Sequence, residues 1–255
     1  MPARPEIDLG TLLCERCGYV LEGLPAENDC PECGTPIAES LPEHRIGTPW
    51  QRDPGWGSYV QTARSVLFGR TRLFEQMAME SERSAALLRS NLFAVFAIFA
   101  LSSPGHAWNV GGHAITLIVA GVVFGVLAAL LVAILTTIEA LGIRFFGSRE
   151  GFRIDRLASL AICAHGSFGW IISAIGLHAT IATFITLRKG IDGGDISHAQ
   201  SFALLLTLVL SLLGTLAGFL FFEFFAWLGM RRCKFANRTR PPEPGAPRPD
   251  AEPPR

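Results

Sequence analysis

The chain has 255 residues, 49% of them hydrophobic and 17% charged, with a mean hydropathy of +0.35. That is too apolar and too sparsely charged for an ordinary soluble domain. Basic and acidic side chains number 22 each and cancel, so their placement along the chain carries more information than their sum.

Residues 1–10 are a polar, proline-containing lead-in without the apolar core of a signal peptide, so the N-terminus is expected to stay where it is made. Two C-x-x-C-G knuckles follow, Cys14-Glu15-Arg16-Cys17-Gly18 and Cys30-Pro31-Glu32-Cys33-Gly34, with twelve residues between Cys17 and Cys30. Six cysteines are few for a disulfide scaffold, and paired spacing points instead to metal in a reducing compartment. A C-x-x-C turn presents two thiolates to one ion, and the following glycine permits the positive φ that the turn needs. Cys14, Cys17, Cys30 and Cys33 thus supply a closed four-sulfur set, which favours structural Zn²⁺ and leaves no open catalytic position. So short a module cannot build its own core, and metal binding supplies most of its folding energy. The stretch Cys17–Pro25 with Cys30–Gly34 resembles the short zinc-ribbon modules that precede various bacterial membrane proteins. It is also similar to the iron-holding knuckles of rubredoxins, but has a shorter spacer and lacks their aromatic core, so zinc is preferred to iron.

Residues 1–45 hold nine acidic side chains against Arg4, Arg16 and Arg45. Such a surface repels polyanions, which argues against nucleic acid and for a protein partner or a simple structural cap. A zinc ribbon over 1–40 with its knuckles at 14–34, a Pro/Gly linker over 41–57 and an amphipathic juxtamembrane helix over 58–90 are expected.

The next stretch carries the fold. Ala114–Ile138 is 25 residues without a charge, and a bilayer core about 30 Å thick needs roughly 20 apolar helical residues. Further spans are expected over about 86–103, 157–187 and 201–229, so that 91–230 forms a transmembrane bundle. The third stretch is uncharged for 31 residues and can be one tilted helix or break near Gly166-Ser167-Phe168-Gly169. The fold class is therefore an all-α integral membrane bundle of about four spans, possibly five, with a small N-terminal zinc ribbon. Arginines concentrate at 144–156 and 231–240, whereas Arg188 and Lys189 stand alone in the third loop. By the positive-inside rule both termini face the cytoplasm, most simply across an inner membrane. The tail over 231–255 is proline-rich and is expected to be disordered.

Over residues 56–230 four features together resemble the Yip family of membrane proteins. They are the Trp56–Met77 approach segment, the basic loop into Arg153-Ile154-Asp155-Arg156-Leu157, the glycine-bearing long span, and His198-Ala199-Gln200-Ser201 opening the last helix. The resemblance implies a non-enzymatic protein that organises membrane or partners, typically with five spans where four are counted here. It transfers no catalytic residue.

Ionisable groups at membrane depth are costly and mark candidate sites. Glu223, His165 and His178 form the possible intramembrane polar site, with Glu139 taken as a helix-end carboxylate that reaches water. The two histidines lie 13 residues apart, about 140° around a helix, and do not share a face. Cys163 reads as inert packing, and Cys233, beside Arg231, Arg232 and Lys234, as a candidate acylation position. No phosphate-binding glycine loop, catalytic carboxylate pair or zinc-protease motif occurs. The expected function is a non-catalytic adaptor or scaffold in contact with lipid and a protein partner. The alternatives are a small transporter using Glu223 and the span histidines, or an iron-ribbon redox protein.

Overall fold

The computed structural model describes residues 10–108, 114–193 and 197–238. Among them there is no β-strand, only two isolated antiparallel bridges in the cysteine module. The helices are α1 (Pro49–Arg52), α2 (Trp56–Phe68), α3 (Arg70–Gln76), α4 (Glu82–Trp108), α5 (Ala114–Glu150), α6 (Arg156–Gly166), α7 (Phe168–Gly193) and α8 (His198–Arg232). Four stretches are long and apolar enough to cross a bilayer: Glu82–Leu101, Ile118–Glu150, Arg156–Ile191 and Gln200–Arg232. The protein is an all-α, four-span architecture with a small cysteine module at its N-terminal end.

Its surface is inverted relative to a soluble protein. Only 11% of the most apolar window of α5 is buried, and Val122, Leu130, Leu131 and Ile138 point outward. The outer face of α8 does the same through Leu205, Val209, Leu213 and Leu220. Apolar patches on this scale are stable only against hydrocarbon.

Small residues hold the spans together, because lipid provides no hydrophobic drive between helices. α4 packs along α5 and α7 along α8. In the α7–α8 seam Gly169, Ser173 and Gly176 face Gly214, Thr215 and Gly218, and a Cβ placed on Gly218 would lie 2.6 Å from the Gly169 carbonyl oxygen. That closeness lets Ser173 Oγ donate to the Thr215 carbonyl at 2.8 Å and Thr180 Oγ1 to Ser211 Oγ at 2.9 Å.

The core sits at one end. α6 is buried on almost every side, from Ala158 to Gly166, against α2, α4, α5 and α8. Phe74, Leu87, Ile143, Phe225 and Met230 close around it. At Ser167 the third span is interrupted between α6 and α7, and Asn91 of α4 supports the break. Its Nδ2 donates to Ser167 Oγ at 2.7 Å and its Oδ1 accepts from Tyr59 at 2.6 Å. Burial pushes the Tyr59 phenol up to about 12, so it remains a donor at neutral pH. Asn91→Leu takes the acceptor from the half-buried Tyr59 hydroxyl and a donor from Ser167 Oγ, and is expected to lower stability by about 1–3 kcal/mol, read as a fall in the unfolding midpoint in detergent.

The structure corrects several expected boundaries. The linker expected over 41–57 is folded. Thr48 caps α1 in a reciprocal capping box with Gln51, and the buried Gln51 side chain bonds Ala78 and Ser84. The single amphipathic helix expected over 58–90 is instead α2, α3, an extended turn, and the opening of α4. Gly69, with φ of −121° and ψ of 32°, leaves the helical region and separates α2 from α3. The second span continues twelve residues past Ile138 to Glu150, because charged side chains outside the bilayer do not end a helix whose backbone bonds are made. The break at Ser167 leaves one membrane-length stretch rather than two. Of the tail expected as disordered over 231–255, residues 231–238 are folded, and 239–255 lie outside the described residues, as do 1–9 of the lead-in.

Candidate metal centre

Each knuckle is a miniature hairpin wrapped around its cysteines. Cys14 N donates to Tyr19 O and Gly18 N to Cys14 O, and Cys30 N and Gly34 N repeat the pattern with Thr35 O and Cys30 O, all at 2.8–2.9 Å. Bridges between Leu13 and Val20 and between Asp29 and Pro36 complete the correspondence. Gly18 and Gly34 take φ of 84° and 67°, the left-handed region that a side chain resists. Leu21 and Ile37, one from each half, form the small core beneath the cysteines.

The four Sγ atoms all lie within 4.8 Å of one another. Cys14 Sγ is 3.5 Å from Cys33 Sγ, and Cys17 Sγ is 3.7 Å from Cys30 Sγ. A tetrahedron with Zn–S bonds of about 2.3 Å has edges of about 3.8 Å, so the donor set fits a tetrahedral ion. Burial pushes the Cys14 thiol up and Cys17 up to about 12, while the Thr35 hydroxyl and backbone hold Cys33 down at about 6. Zn²⁺ would bind all four as thiolates, so its affinity falls as pH falls. With every ligand position taken by sulfur, the ion would supply folding energy rather than a reactive site.

The module is not a free appendage. Asn237, 3% exposed beyond α8, accepts from Leu13 N at 3.1 Å and donates to Leu13 O and Ser40 O at 2.7 Å each. Its own amide donates to Glu15 Oε1 at 2.9 Å. Glu15, between the first two ligands, also takes a two-pronged ion pair from Arg45 at 2.8 and 2.6 Å. Arg45 is 4% exposed and donates onward to the Phe74 and Met77 carbonyls in the α3 layer. Burial lowers the Arg45 pKa, but the Glu15 carboxylate and nearby charges raise it by more, so the guanidinium stays charged. Arg153, from the α5–α6 loop, completes the clamp by binding the Thr11, Phe235 and Ala236 carbonyls and Asn237 Oδ1. The ring of Phe235 fills the space over Gly18, where any Cβ would strike it. The cysteine module therefore sits at the end of the bundle that carries the 144–156 arginines. Asn237→Ala strands three buried backbone groups and is expected to speed zinc loss to a chelator about tenfold or more, followed with a colorimetric zinc indicator.

The remaining candidates are dispersed. His165 is fully buried, its Nδ1 donating to Ala161 O at 2.8 Å and its Nε2 meeting Thr48 Oγ1 at 3.1 Å. Both nitrogens are engaged, so this is a structural histidine. His178 lies on α7 edge-on to Phe99, with ring centroids 6.1 Å apart, about 20 Å along the helix from His165. Among the described residues Glu223 lies near Glu139 of α5 and makes no ion pair with an arginine. Glu139 is three turns inside α5, not at a helix end, and Cys163 lies beside both carboxyls. Cys233 is fully buried, its thiol 3.9 Å from Phe74 O, which removes it as an acylation position. Sequence reasoning missed Asn237, Glu15 and Thr48. A lone asparagine, glutamate or threonine has no periodic signature, and only the buried partners reveal its role.

No family model, curated protein or solved structure matches the chain.

Proposed function

We propose that the protein is a non-catalytic membrane scaffold whose zinc ribbon, on the cytoplasmic side, receives a protein partner. The observation that carries this reading is the coupling of a closed four-thiol cluster to exposed apolar side chains. Tyr19, Val20 and Leu24 remain exposed on the ribbon among Glu22 and Glu27, while its opposite groups, Leu13, Glu15 and Ser40, are consumed by the clamp. A metal that only folds its module, on a module rigidly held by the spans, suits recognition rather than turnover. The Yip-like arrangement of the approach segment and basic loop agrees with a role in organising partners. The reducing side is favoured by the free cysteines and by the arginines gathered at the ribbon end.

The test is affinity capture with the full chain against a Tyr19→Ser, Val20→Ser double variant that keeps its zinc. Loss of a specific partner from the variant supports the reading, and identical capture rejects it.

A second reading rests on the Glu139–Glu223 contact between α5 and α8, since paired carboxyls inside a bundle suit cation or proton movement. Flux through proteoliposomes that disappears in Glu223→Gln would favour transport over scaffolding.

A further inference from the structure

Between the approach layer and the spans runs an apolar groove of about 930 Å³. Trp56 and Tyr59 of α2 form its roof, Phe93 and Ala97 of α4 and Ile172 of α7 its floor, and Arg89 stands at its end. We propose that this groove is a binding site for one membrane glycerophospholipid, with an acyl chain along the floor and the phosphate on Arg89.

Charge and depth both select that occupant. Arg89, Phe93 and Ala97 recur at four-residue intervals and share one face of α4, over about 12 Å of helix. Arg89 is the first residue of α4 to line the groove, and the apolar floor extends from it along α4 and α7. Arg89 is exposed and makes no ion pair with any carboxylate of the described residues. A cation at one end of a hydrocarbon-lined trough matches an amphiphile with an anionic head. In a bilayer the abundant molecule of that kind is the phospholipid itself. The surroundings agree. Trp56 is 81% exposed while stacked on Tyr59, and Phe93 is 67% exposed, so the walls are unsatisfied without hydrocarbon beside them. Val60 and Phe68 continue the exposed apolar edge of α2, which sets that helix at headgroup level, where tryptophan is favoured. Ser90 and Trp50, also at the groove, have their polar atoms committed to the Ala86 and Arg83 carbonyls and do not compete for the head. The site is independent of the scaffold reading and stands or falls without it.

The experiment uses the full chain with its zinc in vesicles of phosphatidylethanolamine and phosphatidylglycerol, doped with a phosphatidylglycerol carrying a diazirine in one acyl chain. After irradiation, adducts are mapped by peptide mass spectrometry. Adducts concentrated at Phe93–Ala97 and Trp56–Tyr59, well above those on the lipid-facing Val122 and Leu130 of α5, are expected. Labelling spread evenly over all lipid-facing residues shows ordinary boundary lipid and overturns the proposal. Arg89→Gln is expected to reduce the groove adducts about tenfold while leaving α5 labelling unchanged. Unchanged groove labelling in that variant overturns the assignment of the phosphate to Arg89. Ala97→Trp, which fills the trough, is expected to abolish the groove adducts, and their persistence overturns the seat.

Discussion

Replacing Cys30 with serine is expected to abolish metal binding and unfold residues 11–41 while the four spans stay helical. The cysteine module has no sheet and only Leu21 and Ile37 as a core of its own, so a bound ion would supply most of its stability. For structural zinc modules that contribution is about 10–16 kcal/mol near neutral pH, far beyond what two buried aliphatic side chains provide. Elemental analysis should fall from one zinc per chain to none. Amide exchange at Cys14, Gly18, Cys30 and Gly34, whose N–H groups are bonded within the knuckles, should rise to the unprotected rate. The loss should spread, because Arg45 and Asn237 would then be left without Glu15 and Leu13, and the α3 layer should loosen with them. A chelator strong enough to strip the wild type should reproduce the same pattern. Retained protection in a metal-free variant would show that the ribbon folds on packing alone.

Gly218→Leu is expected to do comparable damage by a separate route. The space beside Gly218 is occupied by the backbone of α7, at Ser173 N and the Gly169 carbonyl, neither of which can rotate away. The two helices must part, and parting breaks the Ser173 and Thr180 bonds across the seam. A loss beyond about 4 kcal/mol follows, enough to eliminate monodisperse protein on size-exclusion chromatography in detergent. Leu213→Ala, on the outward face of the same helix, is the matched control. It should leave the elution profile nearly unchanged, since a lipid-facing methyl group has no protein neighbour to lose. A well-behaved Gly218→Leu protein would mean that α7 and α8 are not held as described.

The sequence made the large features plain because they are written in composition and spacing. Uncharged runs announced the four spans, and the C-x-x-C-G pairs announced the sulfur cluster. The α7–α8 seam was equally legible and was overlooked: Gly214 and Gly218 stand four apart, and Gly169 and Ser173 repeat that interval on the facing helix. On α5, Gly125 likewise brings the helix against Phe96. What could not be read were contacts between residues far apart in the chain. Thr48 looks like any turn residue until His165 is found 3.1 Å away, and Asn237 looks like the start of a polar tail until Leu13 closes on it. Pro42, Gly47, Pro49 and Pro54 suggested a loose connection over 41–57. They instead shape a tight path, in which Gly47 takes φ of 85° and Pro49 opens a capped helix.

Ribosomes deliver Leu13 and Ser40 roughly two hundred residues before Asn237, which at about 5–20 residues per second is a wait of some ten to forty-five seconds. During that interval the nascent ribbon can gather its ion, yet its seat on the bundle has no occupant for the central position. A polypeptide released before Asn237 keeps its spans and its thiols but leaves the Leu13 amide and carbonyl open to proteases. The clasp thus joins structure made early in translation to structure made only after the fourth span.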